Sequence, residues 1–122
     1  MSFLIVALAA LAAAFQPPAQ SEGARLYRQC FACHALEPGR HTPAGPSLAG
    51  IVGRPIAGQG GFDYSPPLRR FARRERVWTP ELLDRFLADP EGVVPGTEMG
   101  LIGMRDPHQR RTLIDWLGRR GR

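Results

Sequence analysis

The sequence predicts an all-α fold in which four or five short helices are joined by long loops. Helix-start signals, in which a capping residue precedes a proline or an acidic residue, occur at four places along the 122 residues. No segment shows the alternation of apolar and polar residues that is typical of a β-strand. Glycine and proline, with 14 and 12 residues, predict extensive turns and loops. The length suits a single domain.

The first helix is predicted to begin after Ser21, whose hydroxyl caps it, and to run to about Cys33. Residues 35–64 are rich in glycine and proline and lack sustained periodicity, which predicts a long loop. The side chains that recur at helical spacing on one face of the first helix are Leu26, Tyr27, Cys30 and His34.

Three further helices are predicted in the second half of the chain. Ser65-Pro66-Pro67 opens a helix that ends near Arg74, and Thr79-Pro80-Glu81 opens one that ends at Asp89-Pro90. Residues 90–105 are predicted to be loop, and Asp106-Pro107 starts the last helix. The expected buried positions of the last two helices are Leu82, Leu83, Phe86, Leu87, Leu113, Trp116 and Leu117.

These helices are too few and too short to form a large hydrophobic core. A chain of about a hundred residues that buries little apolar surface is only marginally stable. A loop as long as residues 35–64 is also unusual in a compact domain. We therefore expect a group other than side chains to occupy the centre of the fold.

The N-terminal residues predict a targeting segment. Residues 3–15 form an unbroken apolar run of 13 residues, which matches a secretory signal and is short for a membrane span. Cleavage after Ala14 would make residues 1–14 a signal peptide and residues 15–21 a linker. The domain then covers residues 22–118, followed by a basic tail at 119–122. Periplasmic location is predicted; the alternative is an uncleaved anchor in the inner membrane.

Both cysteines of the chain lie in Cys30-Phe31-Ala32-Cys33-His34, and this motif predicts a covalently attached haem. Two thiols three residues apart on a helical turn can each add to a haem vinyl group and form a thioether bond. The adjacent imidazole of His34 is then held against the iron as its fifth ligand.

Three other interpretations of this motif are weaker. A thioredoxin-like dithiol needs a preceding strand and a βαβ pattern, which the sequence lacks. A structural zinc site needs two further ligands at suitable spacing, whereas His41 and His108 are scattered along the chain. A disulfide between the two cysteines would close almost no loop and stabilise little.

The sixth iron ligand is predicted to be Met99. It follows Pro95-Gly96-Thr97-Glu98, where proline and glycine bend the backbone, so its thioether can point inward from a loop instead of packing on a helix face. A histidine–methionine pair stabilises ferrous iron and fills the coordination sphere, which favours electron transfer over binding or activating oxygen. The alternative ligands are Met104, His41 and His108.

The chain resembles the class I monohaem c-type cytochromes, the family of mitochondrial cytochrome c and its soluble bacterial relatives. The resemblance covers about residues 22–118. Beyond the haem motif it rests on residues 45–50, 53–54, 61–65, 78–81, 95–99 and 113–117. It implies the small cytochrome c fold around one covalently bound haem c with its iron, and an electron carrier instead of an enzyme.

The resemblance also implies roles for single residues. Cys30 and Cys33 carry the thioether bonds, with His34 and Met99 as axial ligands, and the carbonyl of Pro46 accepts a hydrogen bond from the His34 ring. It further implies that Tyr64 and Trp78 form hydrogen bonds with a haem propionate and that Arg54 offsets the charge of this propionate. Finally, it implies a close crossing of the first and last helices, where Gly23 and Tyr27 contact Trp116.

Three features depart from the family pattern. Glu98 precedes the methionine where relatives often carry lysine. Phe86 stands where many relatives have a tyrosine whose hydroxyl contacts the methionine sulfur. The segment between Tyr64 and Trp78 is a few residues longer than in the mitochondrial proteins.

The charge of the chain limits the choice of partners. All 16 basic residues are arginine, against 11 acidic residues, for a formal net charge of +5. Five arginines cluster within residues 69–76. No recognition motif or aromatic interleaving accompanies them, so nucleic acid is not expected. The cluster is interpreted as a docking surface for acidic redox partners, with a solvated helix face and contact with anionic lipid as alternatives.

The sequence therefore predicts a monomeric, periplasmic one-electron carrier with a His/Met-ligated haem c. The alternative is a bound cytochrome subunit that accepts electrons from a periplasmic dehydrogenase or oxidase complex. A haem sensor or a peroxidase would need an open iron position, which Met99 is expected to fill.

Overall fold

Five helices joined by long loops make up residues 21–120, the part of the chain that the computed structural model describes. The only β-structure in this part is a pair of isolated bridges. The prediction of an all-α fold is thus confirmed. The predicted signal peptide, the linker before Ser21 and the last two residues of the predicted tail lie outside the described residues. The helices are α1 (Glu22–Phe31), α2 (Pro66–Glu75), α3 (Pro80–Ala88), α4 (Pro90–Val93) and α5 (Pro107–Gly118).

A polar side chain caps the N-terminus of each helix. The hydroxyl of Thr79, for example, accepts a hydrogen bond of 3.1 Å from the amide of Leu82. Such bonds satisfy amides that have no partner inside the helix, and the proline that opens each later helix has no amide to satisfy. The capping residues are Ser21, Ser65, Thr79, Asp89 and Asp106.

The predicted loop over residues 90–105 was wrong at its start, where the one-turn helix α4 forms. Asp89 Oδ1 accepts a hydrogen bond of 3.0 Å from the amide of Gly92, and Pro90 supplies the preset backbone angle of a first helical residue. Asp89 therefore ends α3 and caps α4 at the same time.

The hydrophobic core lies where α1 and α3 pack against α5. Leu113 of α5 is fully buried at its centre. Tyr27 of α1 stacks on Trp116 of α5 with ring centroids 5.3 Å apart, and Gly23 lies against the same indole, as predicted. All the apolar positions predicted for α3 and α5 are buried: Leu82, Leu83, Phe86, Leu87, Leu113, Trp116 and Leu117.

The chain stays attached to this core after α5. The guanidinium of Arg120 lies 4.4 Å above the ring of Trp116. The backbone carbonyl of Arg120 accepts a hydrogen bond of 3.1 Å from the amide of Gly50. Arg120, which the sequence assigned to a basic tail, is therefore part of the packed body. No helix within residues 21–120 has the length and apolar character needed to cross a membrane.

Candidate haem site

The Cys30–His34 motif begins in α1 and ends in a turn. α1 stops at Phe31 instead of near Cys33, and in the turn that follows the amides of Cys33 and His34 both bond to the carbonyl of Cys30, at 3.1 and 2.9 Å. Cys30 is buried, Cys33 is exposed, and neither forms a disulfide. Burial, and secondarily the neighbouring Cys33 thiol, raise the pKa of Cys30 to about 11. The motif thus offers one inner and one outer free thiol.

The ring of His34 is held in a defined orientation. Its Nδ1 lies 2.7 Å from the carbonyl oxygen of Pro46. Because a carbonyl only accepts, Nδ1 carries the proton and Nε2 keeps a free lone pair, the form that binds a metal. Burial lowers the pKa of His34, and the bond to Pro46 opposes this shift.

Gly45 allows the loop that carries Pro46 to approach this ring. A Cβ at Gly45 would fall 2.8 Å from Nδ1 of His34 and 2.7 Å from the carbonyl oxygen of Cys33. Any larger residue would push the loop away and break the bond between His34 and Pro46. The family resemblance includes Gly45 within residues 45–50 but implies no role for it.

Two further hydrogen bonds fix the backbone of the motif. The hydroxyl of Tyr27 donates to the carbonyl of His34 at 2.7 Å, and the hydroxyl of Thr42 donates to the carbonyl of Cys33 at 2.6 Å. Sequence reasoning placed Tyr27 only at the helix crossing and did not single out Thr42. The sequence does contain one signal for this role of Tyr27, which lies one turn before Cys30 on the same face of the helix.

The two methionines of the described residues have different surroundings. Met99 is half-buried in the loop after α4, and its amide bonds to the hydroxyl of Thr97 at 3.2 Å. Met104 is only 5% exposed, belongs to the core, and donates its amide to the carbonyl of Leu87 at 2.7 Å. Met104 is therefore a core residue, whereas Met99 lies partly outside the core.

The two other histidines are engaged elsewhere. Nδ1 of His41 accepts a hydrogen bond of 2.9 Å from the amide of Ser47, and Nε2 donates to the carbonyl of Gly60 at 2.8 Å. His108 lies on α5 with its side chain 68% exposed, 3.9 Å from a carboxylate oxygen of Glu22. His41 has no ring nitrogen left for a metal.

Arg54 is a buried cation with incomplete hydrogen bonding. Its Nη1 donates to the carbonyls of Ser47 and Ala49 at 2.7 and 3.0 Å. Its Nε is buried and has no hydrogen-bond partner among residues 21–120. Burial lowers the pKa of Arg54, and the nearby Tyr64 partly opposes this shift. A buried guanidinium with a free N–H fits an anionic group that the protein chain does not itself supply.

Tyr64 and Trp78 lie close to Arg54. The hydroxyl of Tyr64 accepts a hydrogen bond of 3.3 Å from the amide of Gln59, and the amide of Trp78 donates to the carbonyl of Arg54 at 2.9 Å. Both aromatic rings are buried. Trp78 packs on Phe86 with ring centroids 5.1 Å apart. The three residues predicted to surround a haem propionate are therefore neighbours in the fold.

The residues present fit a covalently bound haem. They supply two free thiols, an imidazole whose Nε2 is available, a half-buried thioether at the edge of the core, and a buried cation with an unpaired N–H. Within residues 21–120, no cluster of three or more His, Cys, Asp or Glu side chains is arranged to hold a metal ion, so the zinc alternative lacks its ligands there.

Known proteins resemble this chain in sequence and in fold. No protein-family model matches the chain, but individual proteins do. Cytochrome c-550 of Ancylobacter novellus is 39% identical over 84 residues, which cover 69% of this chain and 78% of that protein. Cytochrome c2 of Agrobacterium tumefaciens is 35% identical over 97 residues, covering 80% and 87%. The structure of cytochrome cH from Methylobacterium extorquens matches with a TM-score of 0.69 and 33% identity, covering 79% of this chain and 93% of that one.

The chain belongs to the class I c-type cytochromes. Members of this family carry one covalently bound haem c with its iron, and they are electron carriers. This cytochrome is therefore an electron-transfer haem protein and not an enzyme, as the sequence predicted. The prediction of a cytochrome c fold is likewise confirmed.

Proposed function

We propose that this cytochrome is a periplasmic one-electron carrier whose haem iron is held between His34 and Met99. Cys30 and Cys33 would hold the haem through thioether bonds. The observation that carries the proposal is the 2.7 Å bond between Nδ1 of His34 and the carbonyl of Pro46, which leaves Nε2 free to bind iron.

When bound, the haem supplies an iron that cycles between its ferrous and ferric states. Pro46 keeps the His34 ring in one orientation and increases its basicity as a ligand. The thioether of Met99 would be the second protein ligand of that iron, where a soft sulfur ligand would stabilise the ferrous state and keep oxygen from binding. Together these residues favour electron transfer at a high reduction potential.

Arg54, Tyr64 and Trp78 are proposed to bind one haem propionate. The support is the buried Nε of Arg54, which has no partner within residues 21–120, together with the position of both aromatic residues beside it. A buried cation at this place would stabilise the carboxylate and the reduced haem. The ring N–H of Trp78 and the hydroxyl of Tyr64 would supply the remaining hydrogen bonds.

Met99 is proposed as the sixth ligand in preference to Met104. Met104 is packed in the core, and both ring nitrogens of His41 are engaged in hydrogen bonds. Met99 is therefore the preferred candidate for a soft ligand of the iron. The test compares Met99→Ala with Met104→Ala in the purified ferric protein. Met99→Ala should remove the far-red charge-transfer band of sulfur–iron bonding, lower the potential and admit cyanide or carbon monoxide.

Met104→Ala is the matched control for this experiment. It should keep the band and the potential while destabilising the protein by about 2–5 kcal/mol, because it opens a cavity in the core. The reverse pattern would transfer the ligand role to Met104. An unchanged spectrum in both variants would point to a histidine ligand and contradict the high-potential carrier.

Periplasmic location is proposed from the apolar run of residues 3–15. N-terminal sequencing of the processed protein tests it, with a mature start near Phe15 as the expected result. Recovery with Met1 retained, and only in the membrane fraction, would instead indicate an anchor.

A further inference from the structure

The segment between α4 and α5, residues 94–106, carries the proposed ligand Met99, and we call it the Met99 loop. Its first half is held by short-range hydrogen bonds. The amide of Gly96 donates to Oε1 of Glu91 at 2.9 Å, and the amide of Met99 donates to the hydroxyl of Thr97 at 3.2 Å. The backbone of the loop is therefore fixed as far as the methionine itself.

The residues that follow the methionine have no such bonds. Within the described part of the chain, residues 100–102 form no hydrogen bond, and the side chain of Ile102 is 97% exposed. A segment that lacks hydrogen bonds opens at little cost in free energy. Whatever holds Met99 from its C-terminal side must therefore lie further along the loop.

The end of the Met99 loop is seated on the last turn of α3. The amide of Met104 donates to the carbonyl of Leu87 at 2.7 Å. The backbone of Gly103 lies against the same turn, where a Cβ would fall 2.5 Å from the carbonyl oxygen of Ala88. Gly103 also has φ of +102°, a conformation that glycine adopts without strain. Only residues 100–102 thus lie unanchored between the two fixed ends of the loop.

The guanidinium of Arg110 in α5 joins this end of the loop to α3. Its Nη1 donates to the carbonyls of Met104 and Arg105 at 2.7 and 3.1 Å. Its Nε donates to Oδ1 of Asp84 in α3 at 2.7 Å. One cation, which lies on the helix after the loop, therefore bonds both to the loop and to the helix on which the loop is seated.

The surroundings of Arg110 make these bonds strong. Its side chain is only 13% exposed, whereas the side chains of Arg40 and Arg69, which also pair with carboxylates, are 68% and 54% exposed. Exposed ion pairs contribute little to stability. Hydrogen bonds from a charged donor that is shielded from water are stronger, and the loss of one partner leaves the other poorly solvated.

We propose that Arg110 is a positioning residue for Met99, which acts by keeping the end of the Met99 loop seated on α3. This inference rests on the proposed role of Met99 as an iron ligand. A neutral, soft thioether binds ferric iron more weakly than ferrous iron, so the protein has to hold it in place through both oxidation states. Residues 100–102 supply no bond for this purpose, and Arg110 supplies it from outside the loop.

The size of the effect follows from the length of the unanchored segment. If Arg110 no longer holds the end of the loop, this segment grows from residues 100–102 to as far as residues 100–106, which roughly doubles it. Each doubling of a flexible loop costs closure entropy that corresponds to about a threefold change in population. The loss of a hydrogen bond from a charged donor corresponds to about tenfold.

The test compares Arg110→Gln with the wild-type holoprotein in its ferric form. Cyanide is the probe, because it can bind the iron only when Met99 has left it, so its rate of binding reports how often the loop opens. Arg110→Gln should bind cyanide about threefold to tenfold faster than the wild-type protein. Arg110→Lys keeps the charge but loses the planar fork, and its rate should lie between the two.

Hydrogen exchange at the amide of Met104 gives a readout that does not involve the haem. This amide bonds to the carbonyl of Leu87, so its exchange measures how often the end of the loop leaves α3. Exchange at this amide should be about tenfold faster in Arg110→Gln.

Two control variants separate positioning from other effects. Arg111→Gln makes the same change of charge at the next residue of α5, which is exposed. Gly23→Ala lowers the stability of the whole protein, because the atoms nearest to its added methyl group belong to Trp116 and not to the Met99 loop. Both controls should change the cyanide rate and the exchange at Met104 by less than about twofold.

Three outcomes would overturn the inference. Unchanged cyanide binding in Arg110→Gln, even with faster exchange at Met104, would limit Arg110 to a structural role. Equal acceleration in Gly23→Ala would show that only global stability matters. In both cases a far-red sulfur–iron band in the wild-type protein would leave the proposed function intact. A wild-type ferric protein without that band would contradict the proposed ligand Met99, and the inference about Arg110 with it.

Discussion

The backbone of Gly23 in α1 lies directly against the indole of Trp116 in α5. A Cβ at Gly23 would fall 2.8 Å from Cδ1 of Trp116 and closer still to the base of that side chain. The base of a tryptophan cannot move without its helix, so a methyl group here would force the two helices apart. The crossing of α1 and α5 therefore depends on the absence of a side chain at residue 23.

Gly23→Ala should lower the free energy of unfolding by about 1–3 kcal/mol, although alanine is the better helix former by about 1 kcal/mol. Guanidinium unfolding of the holoprotein measures this. Gly118→Ala is the matched control, because a Cβ there would lie at an ordinary 3.8 Å from Val52. The control should be neutral or slightly stabilising. A stable Gly23→Ala would contradict the close packing of the crossing.

The hydroxyl of Tyr27, which donates a hydrogen bond to the carbonyl of His34, predicts that the stability of the folded protein depends on pH. Burial raises the pKa of Tyr27 to about 12 from 10.0. A raised pKa stabilises the protonated hydroxyl in the folded state. Its contribution to stability is therefore complete below pH 10 and is lost as the pH rises through 12. The chain contains no lysine whose titration would overlap with this range.

Tyr27→Phe should lower the free energy of unfolding by about 1 kcal/mol at pH 8, because it removes one partly buried hydrogen bond. The difference from the wild-type protein should shrink between pH 10 and pH 12, because the hydroxyl there ionises in the unfolded chain but not in the folded protein, which favours unfolding of the wild type. Unfolding curves recorded across this range check the prediction. A constant difference would mean that Tyr27 acts through its ring packing on Trp116 alone.

His41 joins two loops that are distant in sequence. Its ring bonds to the amide of Ser47 on one side and to the carbonyl of Gly60 on the other, and it packs on Phe62 with centroids 5.8 Å apart. His41→Phe keeps an aromatic ring and loses both hydrogen bonds. It should destabilise the protein by about 1–2 kcal/mol and speed hydrogen exchange at the amide of Ser47.

His108→Phe is the control for this prediction. Its side chain is exposed and its only ionic contact within residues 21–120 is the one to Glu22 at 3.9 Å, so the cost should stay below about 0.5 kcal/mol. Unchanged exchange at Ser47 in His41→Phe would show that another group holds the two loops together.

Local signals explain which features the sequence predicted. The capping bonds of Ser65 and Thr79 reach only three residues along the chain, so a short motif contains the whole interaction. The prediction of a covalent haem is local in the same way, because the five consecutive residues of the Cys30–His34 motif contain both thiols and the imidazole. The burial of α3 and α5 follows from their helical periodicity.

Features that depend on the path of the loops were not predictable from local patterns. The bond between His41 and Gly60 spans 19 residues of irregular chain, and the contact of Gly45 with the His34 ring depends on how the loop returns to α1. Arg76 has a positive φ of 62° although no local signal predicts it, because the bonds of its backbone to Ala72 and Ile56 impose this conformation against the preference of a residue with a side chain.

Arg54 offers a test of the propionate site that does not depend on the axial ligands. A buried positive charge beside the haem stabilises the reduced form, which carries one positive charge less than the oxidised form. Arg54→Gln should therefore lower the reduction potential by about 20–60 mV, which corresponds to about 0.5–1.4 kcal/mol for one electron. Arg54→Lys keeps the charge and should recover most of that loss. The exposed Arg85 is the control, and Arg85→Gln should leave the potential nearly unchanged because solvent screens its charge. If Arg54→Lys lowered the potential as much as Arg54→Gln, the residue would act through its hydrogen bonds to Ser47 and Ala49 and not through its charge.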